Sequence, residues 1–348
     1  MNPWTAAEEV ERYCQATSVR QGDEGACDIG TFDFEGGGQL EQMKVGFVTH
    51  GRLNDKRDNA VLLLPGTTNT RHSADGYIGS GNAFDPDRHF VIAFEAIGAG
   101  TSSKPSDGLG CDFPRYNIRD LVRAQYQAVT ECFGLERVAA VAGASMGAFQ
   151  ALEWAIAYPQ FMRSAVLMVP AARASHIFRS VVSTAELILQ LDPNWGEPMK
   201  DMKQLRALGA AVRMYFPWTV TDSYLERIPL ALIEQEIQTA IARSASWHPW
   251  DYLRRYQASA SHDVAEPFGG DLGRALGQIR ARTLIMPTTS ERLLGADSAK
   301  QLQLHIEGAQ LVPVQTDRGH LGWRAVEGAR ESQIFSNQIA HFLKETPR

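Results

Sequence analysis

The stretch Val138-Ala139-Ala140-Val141-Ala142-Gly143-Ala144-Ser145-Met146-Gly147 decides the fold. Its first five residues form a continuous apolar run, the pattern of a strand buried on both faces. Gly143 then opens a Gly-x-Ser-x-Gly turn. Residues 146–157 follow, rich in Ala and carrying Leu152 and Ile156, and they predict a helix. Strand, sharp turn and helix in that order put Ser145 at the turn itself. Small residues at 143 and 147 let neighbouring backbone pass close by. The turn lifts the Ser145 hydroxyl above the C-terminal edge of a sheet and aims the Met146 amide at the same space.

Outward from this turn, other runs repeat the strand pattern. Ala60-Val61-Leu62-Leu63-Leu64 ends at Pro65-Gly66, and Phe90-Val91-Ile92-Ala93-Phe94 ends near Gly98. Ala165-Val166-Leu167-Met168-Val169 ends at Pro170, and Thr283-Leu284-Ile285-Met286 ends at Pro287. A helical pattern over residues 117–134 carries Leu121, Val122, Tyr126, Val129 and Phe133. Strands alternating with helices predict an α/β fold with a mostly parallel central sheet flanked by helices. Residues 174–281 break the alternation. They hold helix-like pieces at 185–189, 202–214 and 230–242 and no strand pattern, which predicts a helical lid inserted over the sheet. The expected division is a catalytic domain of residues 1–173 and 282–348, with the lid at 174–281.

A serine raised on such a turn is the nucleophile position of an α/β-hydrolase fold, where an acid and then a histidine follow in chain order. His320, in Asp317-Arg318-Gly319-His320-Leu321-Gly322-Trp323, is the expected base. It lies between a strand-like segment at 310–314 and a helix-like end at 332–343. The acid should follow the strand at 283–286. Glu291 comes first and Asp297 is its rival six residues on. Asp317 shares a loop with His320 and is expected to point away from it. An oxyanion hole needs two preorganised amides. Met146 supplies one, and Thr67, in the Pro65-Gly66-Thr67-Thr68-Asn69 turn, supplies the other.

The 348 residues are 44% hydrophobic and 21% charged, ordinary for a globular protein, with a net charge of −6. That charge argues against a general nucleic-acid binder. Cys14, Cys27, Cys111 and Cys132 form no Cys-x-x-Cys pair or zinc pattern, so reduced thiols and a cytoplasmic location are expected. No signal peptide, membrane span, metal motif or cofactor motif is visible. The expected partner is a small-molecule acyl substrate, with neither nucleic acid nor membrane.

Taken together, Gly-Ala-Ser-Met-Gly-Ala-Phe-Gln-Ala-Leu-Glu-Trp-Ala (143–155), Asn82-Ala83-Phe84-Asp85, Asn117-Ile118-Arg119-Asp120 and Ala172-Arg173-Ala174-Ser175 resemble the homoserine O-acetyltransferase branch of the α/β-hydrolase superfamily. The likeness runs over about residues 40–345 and takes in Asp192-Pro193-Asn194-Trp195-Gly196, Ser290-Glu291-Arg292-Leu293 and Gly319-His320. It implies acyl transfer through Ser145, a homodimer through the lid, and Arg213 as a lid arginine that holds a substrate carboxylate. There are departures. Glu291 stands where the branch has Asp, and Ala144 and Ala148 stand where it tends to have Gly. Leu321 replaces an Asp that helps bind the substrate ammonium, and an apolar side chain cannot neutralise that charge. Three readings follow. The first is a hydrolase of a small ester or acyl compound. The second is an O-acyltransferase with acetyl-CoA as co-substrate. The third is a receptor that binds a ligand without chemistry.

Overall fold

A computed structural model describes residues 4–15, 20–196, 206–295 and 297–345. Its strands are β1 (Asp23–Asp28), β2 (Phe32–Asp33), β3 (Gln39–Leu40), β4 (Lys44–His50), β5 (Ala60–Leu64), β6 (Phe90–Phe94), β7 (Val138–Ala144), β8 (Met162–Met168), β9 (Arg282–Met286) and β10 (Gln310–Leu311). Its α-helices are α1 (Ala6–Cys14), α2 (Ile118–Gln127), α3 (Met146–Ala157), α4 (His176–Gln190), α5 (Arg206–Thr219), α6 (Asp222–Arg227), α7 (Leu230–Ser244), α8 (Pro249–Ala260), α9 (Leu272–Leu276), α10 (Ser298–His305) and α11 (Arg330–Lys344).

Eight strands form one sheet in the order β1-β4-β6-β5-β7-β8-β9-β10. Pairings from β6 to β10 are parallel, while β4 runs antiparallel to β1 and β6. The five apolar runs all lie in the sheet because side chains on both faces are buried. Leu62, Leu64 and Val141 enter one core with α2 and α3. Val61, Leu63, Ala140 and Ala142 enter the other, against Phe335, Ile339 and Phe342 of α11. The period of two divides each strand between the two cores.

Two elements differ from the sequence expectation. The helix over 117–134 leaves α geometry after Gln127 and continues as a π-turn at Ala128–Cys132. There the Thr130 hydroxyl donates to the Tyr126 carbonyl at 2.9 Å. The strand-like segment 310–314 has ladder pairing over Gln310–Leu311, followed by an isolated parallel bridge between Val314 and Thr288. Pro313 has no amide to donate, so the chain follows β9 through Val312 N–H to Ile285 O (2.9 Å) and Val314 N–H to Pro287 O (2.8 Å).

Between β8 and β9 the described residues hold five larger helices, α4 to α8, and the short α9. The expected helix at 202–214 appears as α5 from Arg206, and residues 202–205 lie outside the described ones. Ser175 caps α4 by accepting from Phe178 N–H, and its hydroxyl donates to Leu293 O at 2.5 Å. That bond ties the helical segment to the loop after β9. A third apolar cluster joins Val10 of α1 to Phe216, Tyr224, Ile233 and Ile237 of α5 to α7. Among the described residues no helix is long and apolar enough to cross a membrane.

Candidate active site

Ser145 sits between β7 and α3 with φ 57° and ψ −123°. A non-glycine residue held there costs about 1–3 kcal/mol, which the surrounding packing must offset. That packing leaves no room at either flank. A Cβ on Gly143 would lie 2.3 Å from the Gly147 backbone, and one on Gly147 would lie 2.1 Å from Leu64 O. The motif therefore needs both glycines. Helix α3 is buried along Met146–Ile156, so the turn rests on a rigid element.

His320 Nε2 lies 2.9 Å from Ser145 Oγ, and His320 Nδ1 lies 2.7 Å from Glu291 Oε2. Both His320 and Glu291 are buried. Burial by itself would raise the Glu291 pKa. The charge and hydrogen bond of His320 and the amides of Leu294 and Leu293 outweigh burial and hold it below the usual value. The carboxylate is thus ionised at neutral pH and faces Nδ1, leaving Nε2 to face the serine.

The rival acid is elsewhere. Asp297 points to solvent, with 77% of its side chain exposed, and pairs with Lys300 at 3.0 Å. Asp317 pairs with Arg227 at 2.8 Å, away from His320 as expected. His72 bonds to Asp75.

The Thr67 turn follows β5 and faces the serine across the sheet edge. Met146 opens α3, so its amide has no intrahelical acceptor. Side chains that sequence reasoning did not single out hold this region. Gln150 Nε2 donates to Pro65 O (2.9 Å) and Met146 O (3.1 Å), bridging the two halves. Arg255 of α8 is fully buried and donates from Nη2 to Gly66 O (2.7 Å) and Asn69 O (3.0 Å). Ser259, one turn on, lies 2.9 Å from the Thr67 hydroxyl. Arg255 and Ser259 lie over a hundred residues from the turn they hold, and no local pattern marks them.

The His320 loop is fixed in a similar way. Arg318 is fully buried, pairs with Glu236 of α7 and lies over the rings of Tyr13 (3.7 Å) and Tyr224 (4.3 Å). Gly319 has φ 56°, and a Cβ there would meet Thr219 O at 2.9 Å. This position requires glycine for both reasons.

Ser145 and His320 open into a cavity of about 210 Å³. Thr67, Leu321, Tyr215, Tyr252 and Tyr256 line it, together with Tyr13 of α1 and Arg243 and Arg324. Arg213 is not among the lining residues, contrary to the expectation for it. It bonds to Glu234 at 2.8 Å with its side chain 45% exposed. The neighbouring positions Val212, Tyr215 and Phe216 take the cavity face of α5, which turns Arg213 outward. Among the described residues no group of three or more His, Cys, Asp or Glu could hold a metal ion.

A family model described as the alpha/beta hydrolase fold matches residues 59–315. The chain belongs to that family. This α/β hydrolase is 30% identical over 315 residues to a homoserine O-acetyltransferase of Trichormus variabilis, covering 83% of this chain and 86% of that one. It is 29% identical over 313 residues to an ethyl acetate hydrolase of Pseudomonas veronii, covering 85% and 88%. Among solved structures, an acetylester hydrolase from Corynebacterium glutamicum superposes with a TM-score of 0.87 at 24% identity, covering 93% of this chain and 96% of that one. The α/β hydrolase described here is an enzyme of this fold, and both ester hydrolysis and acyl transfer fit it.

Proposed function

We propose that this α/β hydrolase cleaves a small ester through an acyl-enzyme on Ser145. The observation that carries the reading is the unbroken chain Glu291–His320–Ser145, with contacts of 2.7 and 2.9 Å, at the wall of a small cavity. His320 Nε2 takes the Ser145 proton as Oγ attacks the ester carbonyl. The amides of Thr67 and Met146 stabilise the oxyanion, and Glu291 steadies the imidazolium. Collapse expels the alcohol, which receives the proton from His320. Water, deprotonated by His320, then attacks the acyl-enzyme and releases the acid and Ser145.

Leu321 favours water over an amino-acid acceptor, because it gives the cavity an apolar side chain where an ammonium would need an anion. Glu236 also lines the cavity, but Arg318 and the Tyr224 hydroxyl engage its carboxylate. Similarity to the Trichormus variabilis acetyltransferase supports the second reading, transfer from acetyl-CoA to an alcohol. Unpaired Cys14, Cys27, Cys111 and Cys132 suit a reducing cytoplasm. Exposed Leu187, Leu191 and Leu230 suit a contact between two copies.

The test is a paired assay. Short-chain nitrophenyl esters in water form one arm, and acetyl-CoA with homoserine forms the other. Ester turnover that Ser145→Ala lowers by at least about 10³-fold, without acetylated homoserine, is the expected result. Efficient acetyl transfer would overturn it in favour of the second reading.

A further inference from the structure

The cations around the cavity are not equally neutralised. Arg318 is paired with Glu236 and lies 3.8 Å from Glu9. Arg227 is paired with Glu9 and Asp317. Among the described residues Arg243 has no carboxylate partner, and it donates to the backbone carbonyl of Cys14 at 2.6 Å. Arg324, four residues beyond His320, is half-buried, and its guanidinium makes no hydrogen bond or ion pair among the described residues. Desolvation first, then the charges of Arg243 and Arg318, lower its pKa to about 10, so it stays protonated at neutral pH. The charged and polar groups that act on it are Arg243, Arg318, Glu236 and Tyr13. Two of these, Arg243 and Glu236, together with Tyr13, line the same cavity as Ser145. A partly desolvated, unpaired guanidinium beside a second cation is unfavourable until an anion reaches it.

Resting on the esterase reading, we propose that Arg324, seconded by Arg243 at the rim, is an anion subsite that selects small esters bearing a free carboxylate. A guanidinium meets a carboxylate with two parallel N–H donors. The substrate spans the cavity with its ester carbonyl at Ser145 and its carboxylate at Arg324. A volume of about 210 Å³ suits a short ester rather than an entire coenzyme. Arg213, turned to Glu234 outside the cavity, takes no part.

The experiment compares monomethyl succinate with dimethyl succinate by pH-stat in wild type, Arg324→Gln and Arg213→Gln. Wild type is expected to favour the monoanionic ester in kcat/KM. Arg324→Gln lowers that monoester-to-diester ratio by about 10–100-fold, chiefly through KM. Arg213→Gln leaves the ratio where it was. A second readout does not depend on turnover. Succinate should slow organophosphate labelling of Ser145 in wild type and lose that effect in Arg324→Gln. A wild-type preference for the diester, or an equal ratio in wild type and Arg324→Gln, overturns the proposal while leaving the esterase reading intact. Protection by coenzyme A but not by succinate would assign the subsite to a phosphate and overturn the carboxylate. Absence of any Ser145-dependent ester turnover would defeat the esterase reading instead, and the protection assay would still decide the subsite.

Discussion

Glu291 and Asp297 are six residues apart on one loop, yet they meet opposite surroundings. Glu291 is buried against His320, and Asp297 faces solvent beside Lys300. Glu291→Gln keeps the shape but no longer fixes the proton on Nδ1 or balances an imidazolium, so kcat should fall by about 10⁴-fold. Asp297→Asn should leave kcat and KM at wild-type values. Steady-state ester hydrolysis checks both, and an Asp297 variant as impaired as Glu291→Gln would remove Glu291 from its role. The positions of Ser145, Glu291 and His320 were legible because each follows a recognisable strand. Arg213 was not, because one residue along a helix turns a side chain by about 100°. No periodic signal says which of Val212 and Arg213 faces the cavity.

Elements act on the site through their ends and through side chains that cross from one to another. Helix α8 holds the Thr67 turn by Arg255 and Ser259, and α3 holds its other side by Gln150. Arg255→Lys keeps the charge but cannot reach two carbonyls with one planar group. It should lower kcat by up to about 10²-fold, approaching the loss of one oxyanion donor, with a smaller change in KM. A kcat at the wild-type level would show that the turn holds its shape unaided. Helix α3 carries a second device. Glu153 is buried, and desolvation chiefly raises its pKa to about 8, with Glu35, Asp263 and Glu266 adding to the rise and Arg119 opposing it. His262, 3.9 Å away, is driven to about 4 by burial and is neutral at pH 7. A carboxyl raised above its unfolded value favours the fold fully below that value, and the benefit is lost as pH climbs through about 8. The Tm of wild type should therefore decline from pH 5.5 to 8.5, and Glu153→Gln should flatten that decline. Identical slopes in the two proteins would contradict it. The same scale explains which elements could be read. The parallel inner strands are continuous apolar runs, whereas β1, Asp-Glu-Gly-Ala-Cys-Asp, is polar and largely exposed at the sheet edge. Its pairing with β4 rests on backbone hydrogen bonds rather than on an apolar pattern.

At the scale of the molecule, the cavity belongs to no single segment. Ser145 comes from the middle of the chain, His320 from near its end, Tyr215 and Arg243 from the helices between β8 and β9, and Tyr13 from α1. Short helices of this kind are marginal alone, so packing rather than propensity holds α1 in place. Tyr13 is fully buried, donates to Glu331 at 2.5 Å and lies beneath Arg318. Glu9 of the same helix pairs with Arg227, and Val10 enters the cluster of α5 to α7. Helix α1 therefore both closes one side of the cavity and supports Arg318, which anchors the His320 loop. Deleting residues 1–15 should lower Tm, because burial of Val10 and Tyr13 is lost and Arg318 loses an aromatic cover. It should also raise KM for short esters by opening the cavity wall, while organophosphate still labels Ser145, since the Ser145–His320–Glu291 contacts lie outside the deleted segment. A combined drop in Tm and rise in KM with labelling preserved would make α1 a wall of the site. Loss of labelling together with KM would mean that the His320 loop collapses without it, so that α1 sets the geometry of the base as well. Unchanged KM would exclude α1 from the cavity altogether.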